Sequence, residues 1–157
     1  MINMHDNEAY QKYPWLIFRL LHSNYAINTR YVSAVLEVSE IVKVVDAPDY
    51  IEGLIQVRDE VLSLIHTAKL FLPKESHPKP VLAILLNYED HHFAFGIDAV
   101  VGVEEIALIS KSSDFNKGSM KSQYLYGVGK SLLDDQQAVI LLLDDDYLVQ
   151  SVSKVCD

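Results

Sequence analysis

The sequence has few of the features that point to secretion, membrane insertion or a disulfide framework. Its 157 residues include a single cysteine, Cys156, so an internal disulfide cannot form. The longest apolar runs, 81–86 and 138–143, have about a third of the length that spans a bilayer. Residues 1–13 carry no apolar segment of the kind that a signal peptide requires. We therefore expect a cytoplasmic protein.

Positive charge is also scarce. Thirteen basic side chains stand against twenty-two acidic ones, which gives a formal net charge of −9. Phosphate backbones and anionic lipid headgroups repel such a chain, so we expect neither nucleic-acid binding nor a role at a membrane surface. Because the apolar runs are short, we expect no membrane insertion either. All three arginines, Arg19, Arg30 and Arg58, lie in the first half. Because arginine is well suited to hydrogen bonding across interfaces, this half is the better candidate for contacting a partner.

Short apolar segments separated by turn-forming residues predict a mostly β fold. Valine and isoleucine dominate these segments, as β-branched residues do where a pleated surface packs on a core. Helical periodicity is convincing only after 144–146, where a helix would turn Leu148, Val149 and Val152 inward. Four hairpins are predicted, with turns at 22–24, 58–60, 89–92 and around Asp134 and Asp135.

The two halves of the chain resemble each other. Three of the five prolines fall between Leu72 and Pro80, so 73–80 is interpreted as a connector between lobes at about 15–72 and 81–143. Such a repeat suggests two similar small β-barrels of about five strands each, with chance similarity of short hairpins as the alternative. The matching segments are Tyr25-Ala-Ile-Asn28 with Phe95-Gly-Ile-Asp98, Ile51-Glu-Gly53 with Leu125-Tyr-Gly127, and Ala68-Lys-Leu-Phe71 with Tyr147-Leu-Val149.

Motifs for catalysis, cofactors or metals are lacking. The glycines of 127–130 do not have the spacing of a phosphate-binding loop. His91 and His92 are adjacent on a strand, so their rings point to opposite faces and do not readily share a metal. The acidic run 144–146 lacks the glycine and distal glutamate of a calcium loop, and capping of a helix is its favoured interpretation. We expect no enzymatic activity.

Arg58 stands out because it lies between two strongly apolar strands. An exposed ion pair with Asp59 or Glu60 would explain it as an ordinary surface residue. A binding role explains it equally well, and the residues alone leave both interpretations open.

Four segments, in the right order, resemble the CheW-like domain family, whose members couple chemoreceptors to the chemotaxis histidine kinase. The resemblance covers the chain from about Trp15 to Gln150. The family's central signature is an aromatic–aliphatic–x–Gly turn followed by an Asn-Leu-Arg-Gly hairpin. Its counterparts here are Tyr50-Ile-Glu-Gly53 and Gln56-Val-Arg-Asp59. The four segments are 15–28, 48–62, 93–103 and 124–144.

The resemblance implies a fold of two intertwined five-stranded SH3-like β-barrels with short helices and a C-terminal helix. It implies one domain over 15–150, with an N-terminal extension at 1–14 and a tail at 151–157. It also implies no catalysis, no cofactor and no metal. The implied partners are methyl-accepting chemotaxis receptors and the regulatory CheW-like domain of the histidine kinase CheA. Binding to these partners would recruit this protein to membrane-associated receptor arrays.

Carried over residue by residue, the resemblance implies receptor contact at Val32, Gly53 and Arg58. It implies a kinase- or partner-binding role, on the same lobe, for Val42, Glu52 and Asp59.

One departure from the family pattern bears on these roles. Asp59 stands where the family has a glycine, a residue that readily adopts positive φ, and its carboxylate could compete for the Arg58 guanidinium. Two alternatives to the coupling scaffold stay open. One is a diverged regulator that binds a kinase but not receptors, and the other is a small-molecule-binding β-barrel that uses the seam between the lobes.

Overall fold

The structure is a computed structural model that describes residues 12–75, 77–111, 122–131 and 139–156. The described residues form eleven strands, two α-helices and two short 3-10 turns, at Thr29–Tyr31 and Ser122–Tyr124. Within them, no helix is both long and apolar enough to cross a membrane. The elements are β1 (Trp15–Leu20), β2 (Ser23–Asn28), β3 (Val32–Glu37), β4 (Ile51–Val57), β5 (Glu60–His66), α1 (Thr67–Phe71), β6 (Leu82–Tyr88), β7 (His91–Ile97), β8 (Ala99–Glu104), β9 (Ile106–Lys111), β10 (Leu125–Ser131), β11 (Ile140–Leu143) and α2 (Asp145–Cys156).

The mostly β fold is confirmed, but its two sheets do not follow the two halves of the sequence. A five-stranded sheet, in the order β3-β6-β7-β5-β4, uses only residues 32–97. A six-stranded sheet, in the order β8-β1-β2-β11-β10-β9, joins the first hairpin to the strands that follow Asp98. The connector 73–80 therefore joins two strands of the same sheet, β5 and β6, through α1, and does not separate lobes at 15–72 and 81–143. Prolines interrupt a strand, but they do not decide which strands pair afterwards.

The internal repeat is present in the strand pairing. In each sheet two hairpins meet through a parallel pair, which is β5 with β7 in one sheet and β11 with β2 in the other. Gly53 and Gly127 lie opposite Leu64 and Leu142, respectively. Those two leucines in turn pair with Ala94 of β7 and Ala26 of β2. The pairing thus makes Ala26 equivalent to Ala94, and Tyr25 equivalent to Phe93. The repeat predicted from the sequence had matched Tyr25 with Phe95, two residues later.

A core cluster takes side chains from both sheets and both helices. Residues on alternate positions of β1, β2, β6 and β7 contribute to it, as the two-residue period of a strand requires. The inward turn of Leu148, Val149 and Val152 is confirmed, because all three are buried there. Helix α2 runs to Cys156, so most of the tail expected at 151–157 continues this helix.

Each sheet also has a smaller apolar cluster of its own. The cluster of the six-stranded sheet contains Trp15, Ile17, Ala26, Ile140 and Leu142, with Tyr126 packed against it. The cluster of the five-stranded sheet contains Ile55, Leu62, Leu64, Ala83, Leu85 and Ala94, with Leu36, Val38, Ile41 and Val57 packed against it.

Candidate partner-binding surface

Gly53 allows the chain that follows β3 to pack directly on β4. The Val42 N–H donates to the Leu54 carbonyl over 2.9 Å, and the Leu54 N–H donates to the Val42 carbonyl over 2.7 Å. A Cβ on Gly53 would lie only 2.4 Å from the Val42 carbonyl oxygen. The φ of Gly53 is +154°, which side chains rarely tolerate. The structure therefore gives Gly53 the role of holding the segment around Val42.

The segment held by Gly53 presents valine side chains to solvent. Val42 is 64% exposed and Val45 is 85% exposed, and Val44 is exposed as well. We call Val42, Val44 and Val45 the valine surface. Clustered exposed apolar side chains are a common mark of a protein–protein contact.

Glu52 lies beside Gly53 but points inward. It is 8% exposed, and its Oε2 lies 3.6 Å from the Lys69 Nζ in helix α1. A partner could therefore reach little of the Glu52 side chain as it is placed here. Its geometry indicates a structural contact between β4 and α1.

His66 completes this buried polar group at the start of α1. Its Nε2 donates to the Pro78 carbonyl over 2.8 Å, and its Nδ1 accepts from the Lys69 N–H over 3.4 Å. Burial lowers the pKa of His66 below its ordinary value. The His66 ring thus ties the proline-rich connector to the end of β5 and caps helix α1.

Arg58 and Asp59 form the two-residue turn between β4 and β5. The positive φ of this turn, +55°, falls on Arg58, one residue before the position at which the family has glycine. The Gln56 Nε2 donates to the Arg58 carbonyl over 3.3 Å. Within the described part of the chain the Arg58 guanidinium has no ion pair. The carboxylate of Glu60 instead lies 3.0 Å from the Nδ1 of His92.

Val32 is placed differently from the other residues expected to contact a receptor. It begins β3, pairs with Leu86 of β6, and packs against the core cluster shared by the two sheets. Gly53 is the third residue of β4 and Arg58 follows its last residue, so the rise of a strand puts them about 16 Å apart. The structure therefore brings Val42 and Gly53 together and places Arg58 and Asp59 together at a second location.

A cleft of about 610 Å³ opens beside Arg58, within the five-stranded sheet. Four of its lining residues belong to the apolar cluster of that sheet. The others form a mostly polar rim. The lining residues are Ser33, Ala34, Leu36, Val57, Arg58, Asp59, Glu60, Leu62, Leu85, Asn87 and His92.

Arg30, by contrast, forms its ion pairs within the protein, with Asp145 and Asp146. Its guanidinium holds Asp145 through two hydrogen bonds, Nη2 to Oδ1 over 2.6 Å and Nε to Oδ2 over 3.0 Å, and reaches Asp146 over 2.9 Å. The Asp144 Oδ1 accepts from the Tyr147 N–H over 3.1 Å, so the predicted capping of helix α2 is confirmed. Arg30 and Asp145 are 115 residues apart, and no local pattern marked them as partners.

The comparisons with known proteins agree with this architecture. The family model described as CheW-like domain matches residues 14–153. The chain is 22% identical over 151 residues to the chemotaxis protein CheW of Thermotoga maritima, with 93% of each protein covered. It superposes on the crystal structure of the scaffolding protein TtCheW from Thermoanaerobacter tengcongensis with a TM-score of 0.71 and 20% identity, covering 84% of this chain and 88% of that one. Since the family model spans most of the sequence, this chain belongs to the CheW-like domain family.

Proposed function

We propose that this chain is a chemotaxis signal-transduction scaffold that couples chemoreceptors to the histidine kinase CheA by binding both. The observation that carries the proposal is the family match over residues 14–153. The curated relative is named a chemotaxis protein, and the structural neighbour is described as a scaffolding protein. The proposal needs no catalytic step, because holding the kinase in a geometry that receptors can bias is enough to transmit a signal.

The valine surface supports the kinase-binding half of this proposal. An interface centre is depleted of charge and surrounded by a polar rim. The valines of this surface are exposed, and charged residues such as Lys43 and Asp46 interrupt and border them. We therefore assign the contact with the regulatory domain of CheA to Val42 and its neighbours.

Arg58 supports the receptor-binding half. Its guanidinium stands at an exposed turn, and within the described residues no carboxylate holds it. A planar guanidinium forms strong, charge-assisted hydrogen bonds with carboxylates and carbonyl groups of a partner. The competition from Asp59 that the sequence suggested is not seen as an ion pair, which favours the coupling scaffold over the diverged regulator.

Calorimetry with two separate partners tests the proposal. The purified chain is titrated with the regulatory domain of the cognate CheA and, in a second series, with a receptor-tip fragment. We expect Val42→Asp to weaken kinase binding by about tenfold or more, with an unchanged melting temperature. The matched control is Val139→Asp, which places the same charge at another exposed valine.

The receptor series uses Arg58→Ala and, as its control, Arg19→Ala at an exposed arginine of the other sheet. We expect the first variant to lose receptor binding and the second to keep it. If the unmodified chain binds the kinase but not the receptor, the coupling-scaffold hypothesis is wrong and the diverged-regulator hypothesis takes its place. Binding to neither partner would overturn the proposal and return attention to a small-molecule ligand.

A further inference from the structure

The apolar clusters of the two sheets are filled differently. Ile17 pairs with Ala26 in the six-stranded sheet, as Leu85 pairs with Ala94 in the five-stranded sheet. Two residues earlier on the same face, Trp15 thus corresponds to Ala83. The Trp15 ring packs near that of Tyr126, with 6.5 Å between ring centroids. The cluster of the five-stranded sheet, as far as the structure describes it, contains no aromatic side chain.

The apolar cluster of the five-stranded sheet opens to solvent. Leu62 and Leu85 belong to its buried part, and Leu36 and Val57 pack against it. All four line the cleft beside Arg58. The volume of about 610 Å³ lies within the range of sites that hold organic ligands. The cleft therefore gives a partner direct access to the interior of this sheet.

The polar residues at the rim of the cleft indicate which kind of side chain or ligand it can bind. The Arg58 guanidinium has no ion pair within the described residues, so it is available to stack over the face of an aromatic ring. The carboxylate of Asp59 and the side-chain oxygen of Asn87 can accept hydrogen bonds from an N–H or O–H group. An acidic occupant would meet the carboxylates of Asp59 and Glu60, and an aliphatic one would lack the cation–π contact with Arg58.

We propose that this cleft is a docking site for one tryptophan or tyrosine side chain presented by a partner protein. The ring lies on Leu62 and Leu85, beneath the Arg58 guanidinium, and its N–H or O–H group points to Asp59. Because the cleft is open on one side, a protein segment covers it more completely than an isolated small molecule does. The choice of a receptor as this partner rests on the proposed function, since Arg58 borders the cleft.

A tryptophan fragment tests the site without any partner protein. N-acetyl-tryptophanamide is titrated into the isotopically labelled full chain, with N-acetyl-leucinamide as the comparison, and backbone amide shifts are followed by NMR. We expect the tryptophan fragment to bind with a dissociation constant on the order of millimolar, with the largest shifts at Ala34, Leu62 and Leu85. The leucine fragment should bind several times more weakly.

Two matched pairs of variants locate the binding. Ala34→Trp fills the cleft from β3, whereas Val35→Trp adds the same ring at the neighbouring residue, which does not line the cleft. We expect the first to abolish fragment binding and the second to leave it unchanged. Arg58→Ala should weaken binding about two- to fivefold, the range of a cation–π contact, and Arg19→Ala should not weaken it.

The outcomes separate this inference from the proposed function. Fragment binding that survives Ala34→Trp, or that produces shifts only elsewhere, overturns the docking site. The same holds if the fragment does not bind while the receptor-tip fragment still binds the unmodified chain, a result that leaves the proposed function intact. If the tryptophan fragment binds in the cleft and Ala34→Trp also prevents receptor binding, the receptor is the partner. If receptor binding is unaffected by that variant, the receptor is excluded as the occupant.

Discussion

The two sheets share one pattern of strand pairing, yet among the described residues the local apolar cluster of the six-stranded sheet includes aromatic side chains and that of the five-stranded sheet does not. In the six-stranded sheet Trp15 and Tyr126 pack on the local apolar cluster. In the five-stranded sheet Ala83 takes the place of Trp15, and the local cluster continues into an open cleft. The five-stranded sheet forms the same strand pairs around an aliphatic cluster, so this pairing does not depend on the aromatic pair. The proposed docking site for an aromatic side chain lies in the repeat that lacks this pair.

The largest expected difference between the sheets concerns two equivalent core residues. Ile17 is fully buried, whereas Leu85, its counterpart by register, lines the cleft. Truncating a buried aliphatic residue costs about 2–5 kcal/mol, and the cost rises with the size of the enclosed cavity that remains. We expect Ile17→Ala to lower the free energy of unfolding by about 4 kcal/mol and Leu85→Ala by about 2 kcal/mol.

Urea-induced unfolding of the two variants measures this difference. Equal losses would mean that the five-stranded sheet is as tightly closed as its partner, and the comparison would fail. The slope of the unfolding transition should stay the same in both variants, because neither changes the surface exposed on unfolding by much.

The two equivalent glycines provide the next test. A Cβ on Gly53 would lie 2.4 Å from the Val42 carbonyl oxygen, and a Cβ on Gly127 would lie 2.4 Å from the Ser110 carbonyl oxygen. Of the two, Gly53 alone has positive φ. Overpacking costs about 1–3 kcal/mol, and an unfavourable backbone conformation adds to that cost. We expect Gly53→Ala to destabilise the chain by about 3 kcal/mol and Gly127→Ala by about 2 kcal/mol.

Thermal or urea unfolding again gives the two values. If Gly127→Ala proved the more damaging variant, the backbone of Gly53 would not limit the choice of residue there. In that case the contact of Val42 with β4 would be less constrained than its geometry indicates.

The sequence predicted the local elements better than their partners. Three of the predicted hairpins are present, because each turn separates two apolar runs. Their turns differ by one or two residues from the prediction: they lie at 21–22 where 22–24 was expected, at 58–59 where 58–60 was expected, and at 89–90 where 89–92 was expected. The fourth predicted turn, at Asp134 and Asp135, lies outside the described residues. Strands β3, β8 and β9 were missed. Most of their residues are exposed, so the alternation of buried and exposed positions that identifies a strand is weak.

No local sequence pattern indicated that the first hairpin, β1 and β2, pairs with strands from the end of the chain. Which hairpin lies beside which depends on long-range packing, and the prolines of 73–80 suggested a boundary in the wrong place. For the site, the resemblance brought forward Arg58 and Val42, and the structure exposes both. The burial of Glu52 against Lys69 and the cleft beside Arg58 depend on side chains from several strands, so spacing along the chain could not reveal them.

The smallest expected effect concerns the residues that cap the two helices. Ile65 and Leu143 pair with Ile51 and Leu125 at the same place in the repeat, so His66 corresponds to Asp144. Each accepts a hydrogen bond from the N–H three residues later, at Lys69 and Tyr147. The repeats thus use the same capping geometry, with an imidazole in one and a carboxylate in the other.

The imidazole cap should make one repeat sensitive to mild acid. Burial lowers the pKa of His66 below its ordinary value of 6.5, so the folded state binds fewer protons at this site than the unfolded state. Its contribution to stability is therefore present above pH 6.5 and is lost as the pH falls below that value. The hydrogen bond to the Pro78 carbonyl and the charge of Glu52 act against this shift, whereas Lys69 and His77 add to it.

His66→Asn keeps a capping oxygen but removes the titration. The stability difference between the unmodified chain and this variant should change by about 1 kcal/mol, the worth of a helix cap, as the pH is lowered from neutral to mildly acidic. The other histidines are common to both proteins and cancel in that difference, which urea unfolding at several pH values measures. A difference that does not vary with pH would show that the Nδ1 of His66 is not an essential acceptor. The two caps would then be equivalent in chemistry as well as in position.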